Sequence, residues 1–99
     1  MSVELVCLRE VLKMVVKMFT VYDSKAVAFR LPMFFNSVGQ AVRGFGDIAR
    51  DKENEIGRHP GDFTLMQIGD FDTETGAVTM LESKINLGSA LEHASQENR

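Results

Sequence analysis

The sequence predicts an α+β fold: a small antiparallel sheet of three to four strands, packed on one face by a central helix. Three observations lead to this prediction: apolar stretches of β type near residues 18–31 and 63–81, one helical apolar stripe between them, and an Asp-Thr-Glu-Thr-Gly turn within the second stretch. With 99 residues, 44% of them hydrophobic, we expect one small domain with a modest core. Short helical segments are expected near both ends.

Two strands are predicted before residue 32. Residues 18–22 are rich in β-forming side chains and end at the turn signal Asp23-Ser24. Residues 27–31 alternate large apolar residues with small or charged ones, which indicates a second strand. Pro32 has no amide proton, so it confines this part of the chain to an edge of the sheet or to its exit.

The clearest helix is predicted over residues 37–51. Ser37, followed three residues later by Gln40, matches a capping box. The apolar stripe that follows consists of Val38, Ala41, Val42, Phe45, Ile48 and Ala49. Three glycines within it cost roughly 0.8–1 kcal/mol each relative to alanine, so the helix depends on packing against the sheet. The polar residues 51–61, which end in His59-Pro60-Gly61, are predicted to form a loop.

The second half of the chain predicts a β-hairpin. Residues 63–71 and 77–81 form its strands, and residues 72–76 suit a type I turn followed by a left-handed glycine. From Ser83 onward we expect a short docked helix. Its apolar contacts would be Ile85, Leu87, Leu91 and Ala94.

The predicted organisation has three parts. Residues 1–16 form an N-terminal extension of helical periodicity, which charge interrupts and which is too short to span a bilayer. It also lacks the basic start and the cleavage site of a signal peptide. Residues 17–91 form a single α+β domain, and residues 92–99 form a polar flexible tail. Met14 and Met18 are alternative starts.

Candidate nucleic-acid contacts are Arg43, Arg50 and Arg58. The net charge of −3 argues against a general polyanion binder, although the basic residues concentrate in the middle of the chain and the acidic ones near its end. Arg43 and Arg50 lie two helical turns apart, so each would take a phosphate without reading sequence. Asp47 lies within reach of both, and intrahelical ion pairs are therefore the alternative explanation.

No constellation in the sequence predicts a metal site, a cofactor or catalysis. Asp70, Asp72 and Glu74 resemble the opening of a calcium loop, but the required glycine and glutamate each come one place late, and a hairpin turn explains the run. The single cysteine and two histidines lack zinc-ligand spacing. A small hydrolase or nuclease would need His59, Asp62 and a hairpin carboxylate in one pocket. We therefore predict a protein that is not an enzyme.

Four short motifs occur in a fixed order and spacing. They are Phe19-Thr-Val-Tyr-Asp-Ser-Lys-Ala26, Ala41-Val-Arg-Gly-Phe45, His59-Pro-Gly-Asp-Phe-Thr-Leu65 and Ile68-Gly-Asp-Phe-Asp72. As a set they resemble the small non-structural protein of gokushovirus-type microviruses, which are tailless phages with single-stranded DNA genomes. The resemblance runs from about Lys17 to Leu91. Members of that family tend to begin near the position of Met18, so residues 1–16 are a departure from it.

The resemblance implies a role related to that of the microvirus protein that couples single-stranded DNA synthesis to genome packaging. The expected protein is a non-enzymatic accessory factor in the host cytoplasm, which contacts the replication complex or the procapsid. Its expected partners are viral or host proteins, with single-stranded DNA and a second copy of the chain as further candidates, and no membrane. The alternative is a protein–protein adaptor or host-directed effector that makes no contact with nucleic acid.

Overall fold

The structure is a computed structural model in which residues 15–95 are described. Residues 1–14 of the predicted extension and residues 96–99 of the predicted tail lie outside the described part. The elements follow one another in the order β1 (Val15–Asp23), β2 (Ala28–Phe29), β3 (Met33–Phe35), α1 (Val38–Ala49), α2 (Glu55–Arg58), a 3₁₀ turn (Pro60–Asp62), β4 (Phe63–Asp72), β5 (Val78–Ser89) and α3 (Ala90–Ala94).

The strands form one antiparallel sheet in the order β2-β1-β4-β5, and β3 also pairs with β1. The α+β class is confirmed. The predicted count of three to four strands is wrong, because the described chain has five. Residues 30–32, which end in Pro32, separate the predicted second strand from a third, and the two short strands pair with different parts of the same edge of β1.

Helix α1 occupies the predicted position. The Ser37 side chain accepts a hydrogen bond from the Gln40 amide at 3.1 Å. The Gln40 side chain accepts from the Asn36 amide, also at 3.1 Å, whereas a capping box would direct it to the amide of Ser37. The helical content is divided among three short α-helices, so the prediction of one central helix is wrong.

Helix α2 and the first two residues of the 3₁₀ turn lie within residues 51–61, which were predicted to be a loop. Asn54 caps α2, because its Oδ1 accepts a hydrogen bond from the Gly57 amide at 3.0 Å. Ile56 is the one large apolar side chain in this segment, and it is buried. A single anchor gives no periodic signal in the sequence, which explains why this helix was missed.

Strand β5 is longer than predicted. It continues to Ser89, so residues 83–89 belong to the sheet, and the docked helix expected from Ser83 begins only at Ala90. The register against β4 jumps from Gly69↔Met80 to Gln67↔Ile85, and residues 81–84 bulge out between these pairs. Because of this bulge, apolar and polar residues do not alternate strictly along β5.

The core lies between α1 and one face of the sheet. Its members are Phe19, Val21, Ala41, Phe45, Ala49, Ile56, Phe63, Leu65 and Ala90. Val38 and Val42 pack against its margin. Ile48, predicted on the same stripe, is instead 39% exposed.

Candidate interaction surfaces

Arg50, one of the three predicted DNA-contacting arginines, is engaged within the fold. Its guanidinium donates to Asp47 Oδ1 at 2.9 Å and to the main-chain carbonyl of His93 at 3.2 Å. The His93 ring Nε2 in turn donates to the carbonyl of Leu87 at 2.7 Å, and the ring packs edge-on against Phe45. Arg50 therefore helps to hold α3 against α1.

Arg43 and Arg58 lie at the surface. Arg43 is exposed on α1 and makes no hydrogen bond or ion pair within residues 15–95. Arg58 is at the end of α2, where its Nη1 donates to the carbonyl of Lys52 at 3.3 Å. The three arginines share no hydrogen-bond partner in the described chain, and Arg43 is the one whose guanidinium is most available to a phosphate.

A fourth arginine, Arg30, lies in a cluster with Phe63 and Glu55. Its guanidinium carbon lies 5.0 Å from the centre of the Phe63 ring, and its Nη2 contacts Glu55 Oε1 at 2.5 Å. Both partners of this ion pair are partly exposed, so it contributes little to stability. It fixes the position of a charged pair at one end of a surface depression.

That depression, which we call the apolar groove, runs between α1 and the segment that carries β2 and β3. It has a volume of about 630 Å³. Its lining consists of Val21, Phe29, Arg30, Leu31, Met33, Phe35, Ala41, Gly44, Phe45, Ile48 and Ile56. Arg30 is the one ionisable side chain among them, so the groove suits apolar groups and offers no acid–base pair for catalysis.

The rim of the groove presents apolar side chains to solvent. Leu31 is 87% exposed and Phe29 is 49% exposed, whereas most large apolar side chains of the core are almost fully buried. The main chain beside Leu31 is fixed, because the Arg30 amide donates to the Val21 carbonyl at 2.9 Å and Thr20 Oγ1 donates to the Arg30 carbonyl at 2.6 Å. Leu31 is thus held outward by an ordered backbone.

The groove is not predictable from either segment of the sequence alone. Its residues come from two separate segments, and each segment by itself resembles an ordinary strand or an ordinary helix face. One signal was available: Leu31 precedes a proline and follows a short edge strand, Ala28–Phe29, by two residues.

The acidic run at the hairpin forms a turn. Asp72 Oδ1 accepts hydrogen bonds from the amides of Glu74 and Thr75 at 2.8 and 3.2 Å, and Gly76 adopts a positive φ of 78°. Within residues 15–95, no group of three or more histidine, cysteine, aspartate or glutamate side chains is arranged to hold a metal ion. No α-helix in this part of the chain combines the length and apolarity needed to cross a bilayer.

A protein-family model described as Phage ORF5 protein matches residues 16–93. The chain belongs to this family. No curated protein and no solved structure matches it. The Phage ORF5 match includes both walls of the apolar groove and all three candidate arginines, so these features belong to the family domain.

Proposed function

We propose that this Phage ORF5 protein is a non-enzymatic accessory factor of a gokushovirus-type microvirus, and that it acts in the host cytoplasm during synthesis or packaging of the single-stranded DNA genome. Two observations support the proposal. The chain belongs to a phage family, and its four motifs resemble the small non-structural protein of Microviridae. We infer that it works through contacts with a protein of the replication complex or the procapsid.

The apolar groove is the structural feature that most supports contact with a partner protein. A concave apolar surface with exposed Leu31 and Phe29 at its rim suits the apolar side chains of a partner protein, which would cover both the groove and its rim. A phosphate backbone would find two cations there: Arg30, with which Glu55 already pairs, and Lys84, whose Nζ lies 5.5 Å from the centre of the Phe29 ring. Protein contact is therefore favoured over nucleic-acid contact at this surface.

Direct contact with single-stranded DNA is a second candidate, and exposed Arg43 is the observation that favours it. It is tested by titrating a labelled oligothymidine at several salt concentrations, starting from about 20 mM. If Arg43 takes a phosphate, Arg43→Gln lowers the slope of log affinity against log salt by about 0.7. If no binding is measured at low salt, this candidate is rejected. The remaining alternative is then a protein–protein adaptor or host-directed effector that makes no contact with nucleic acid.

The proposed role is tested in infected cells. A phage with this gene disrupted is supplied in trans with the wild-type chain, with Leu31→Glu, or with Arg43→Gln. The measurements are the ratio of single-stranded to double-stranded phage DNA and the ratio of filled to empty capsids. We expect the disruption and Leu31→Glu to lower at least one of these ratios. Arg43→Gln should keep both near the wild-type values.

Two results would reject parts of this proposal. If the disruption leaves both ratios unchanged, the protein has no role in genome synthesis or packaging. If the disruption lowers a ratio and Leu31→Glu restores it fully, the role stands but the apolar groove does not carry it.

A further inference from the structure

One end of the apolar groove lies beside the point where the described chain begins. Val15 is the first residue of β1, and two residues later Lys17 pairs with Phe35, which lines one end of the groove. The other end lies beside Phe29, which pairs with Tyr22 near the end of β1. At about 3.4 Å per residue of β1, the two ends are about 17 Å apart. The chain that precedes Val15 therefore joins the sheet at one end of the groove.

Residues 1–14, which lie outside the described part, have the length and the apolar pattern that this groove requires. A helix of about 12 residues is about 18 Å long, which matches the groove and leaves two residues to reverse the direction of the chain. Leu5, Leu8 and Leu12 are three and four residues apart, so they fall on one side of such a helix. The segment is therefore suited to place an apolar stripe along the groove.

The charges of this segment also match the two ends of the groove. Its two acidic and two basic residues sum to zero. Glu4 would lie at the far end, near Lys84, whose Nζ is 5.5 Å from the centre of the Phe29 ring. Lys13 would lie at the near end, beside Asp72, which pairs with the first residue of β1. Opposite charges therefore meet at both ends, which favours this direction of the segment along the groove.

We propose that residues 1–14 occupy the apolar groove of their own chain as an amphipathic helix, with the leucine stripe directed into it. Attachment to β1 keeps the segment at a high local concentration beside the groove. The family match begins at residue 16, so the segment is an addition to the domain that contains the groove. The occupancy does not depend on the proposed function. Its consequence rests on that function: a partner protein must displace the segment before it binds, which makes the segment an autoinhibitory cover.

The single cysteine of the chain, Cys7, lies in this segment and provides the test. Full-length Leu31→Cys is incubated in dilute solution with oxidised glutathione, and the rate of intramolecular disulfide formation is measured by intact mass. The matched control is Val78→Cys, which is 54% exposed and pairs with Phe71, the partner of Val16. Two strand spacings put this control about 10 Å from β1, so an undocked segment would reach it readily. We expect Leu31→Cys to react more than about tenfold faster.

Substitutions within the segment complete the test. Leu8→Gln, added to Leu31→Cys, should lower the rate to that of Val78→Cys, whereas Glu10→Gln, on the opposite side of the helix, should leave it unchanged. The proposal is wrong if Val78→Cys reacts as fast as Leu31→Cys, or if the fast reaction survives Leu8→Gln. A disulfide that links two chains would mean that a second copy fills the groove, and it also rejects the proposal. These rates are measured on the isolated chain, so they are independent of the outcome in infected cells.

Discussion

The guanidinium of Arg50 donates to the main-chain carbonyl of His93 at 3.2 Å, across 43 positions of the sequence. This bond joins α1 to α3, and a second bond to Asp47 at 2.9 Å holds the guanidinium in place. Arg50, which was predicted to contact phosphate, therefore stabilises the packing of two helices. A phosphate that took both Nη groups of Arg50 would compete with these two bonds.

Arg50→Ala should therefore destabilise the protein. Loss of hydrogen bonds to a charged, partly buried group should lower the free energy of unfolding by about 1–2 kcal/mol. Arg43→Ala is the control, because that exposed side chain has no partner within residues 15–95, and it should change the value by less than about 0.5 kcal/mol. Urea unfolding of both variants checks this. Equal effects would contradict the structural role of Arg50.

The sequence was informative wherever a local signal coincided with a long apolar pattern. Helix α1 has both a cap at Ser37 and a repeated stripe, so its position was predicted to within two residues at its end. The hairpin turn was predicted because the left-handed position that follows a type I turn selects for glycine, and Gly76 indeed has a positive φ. Pro32 marked the break in the first edge of the sheet.

The features that were missed depend on contacts between distant segments. Residues 85 and 87 fit a strand as well as a helix, and pairing with β4 decides in favour of the strand. The apolar groove forms only when α1 and the segment containing Leu31 lie side by side. The bond from Arg50 to His93 joins α1 to α3, and nothing in the intervening sequence indicates it.

Gly57 is required for packing. A Cβ at this position would lie 1.8 Å from the carbonyl oxygen of Asp51, which is main chain and cannot rotate away. Gly57→Ala should therefore lower the free energy of unfolding by about 3 kcal/mol or more. Gly61→Ala is the control, because nothing lies within 4 Å of its Cβ position, and it should be close to neutral. Guanidinium unfolding distinguishes them, and a Gly57→Ala variant as stable as Gly61→Ala would show that the Asp51 loop moves freely.

Val27 is a site where a substitution should stabilise the protein. It has a φ of 54°, a conformation that branched side chains rarely adopt, and its side chain is 73% exposed. Asparagine adopts this conformation more readily, so Val27→Asn should raise the free energy of unfolding by about 1 kcal/mol. Ala26→Asn, one residue earlier and also exposed, should show no such gain. Thermal unfolding of both variants measures the difference, and a loss of stability in Val27→Asn would contradict the assigned backbone strain.

Substitutions at two leucines distinguish a side chain of the core from one of the proposed interaction surface. Leu65 is fully buried against Phe19 and Phe45, whereas Leu31 is 87% exposed at the rim of the groove. Leu65→Ala should lower the free energy of unfolding by about 2–5 kcal/mol, because it leaves a cavity in the core. Leu31→Ala should change it by less than about 0.5 kcal/mol. Chemical unfolding curves check both values. A loss above 1 kcal/mol in Leu31→Ala would mean that this side chain supports the fold, and a phenotype of Leu31 variants in infected cells would then report instability instead of lost partner binding.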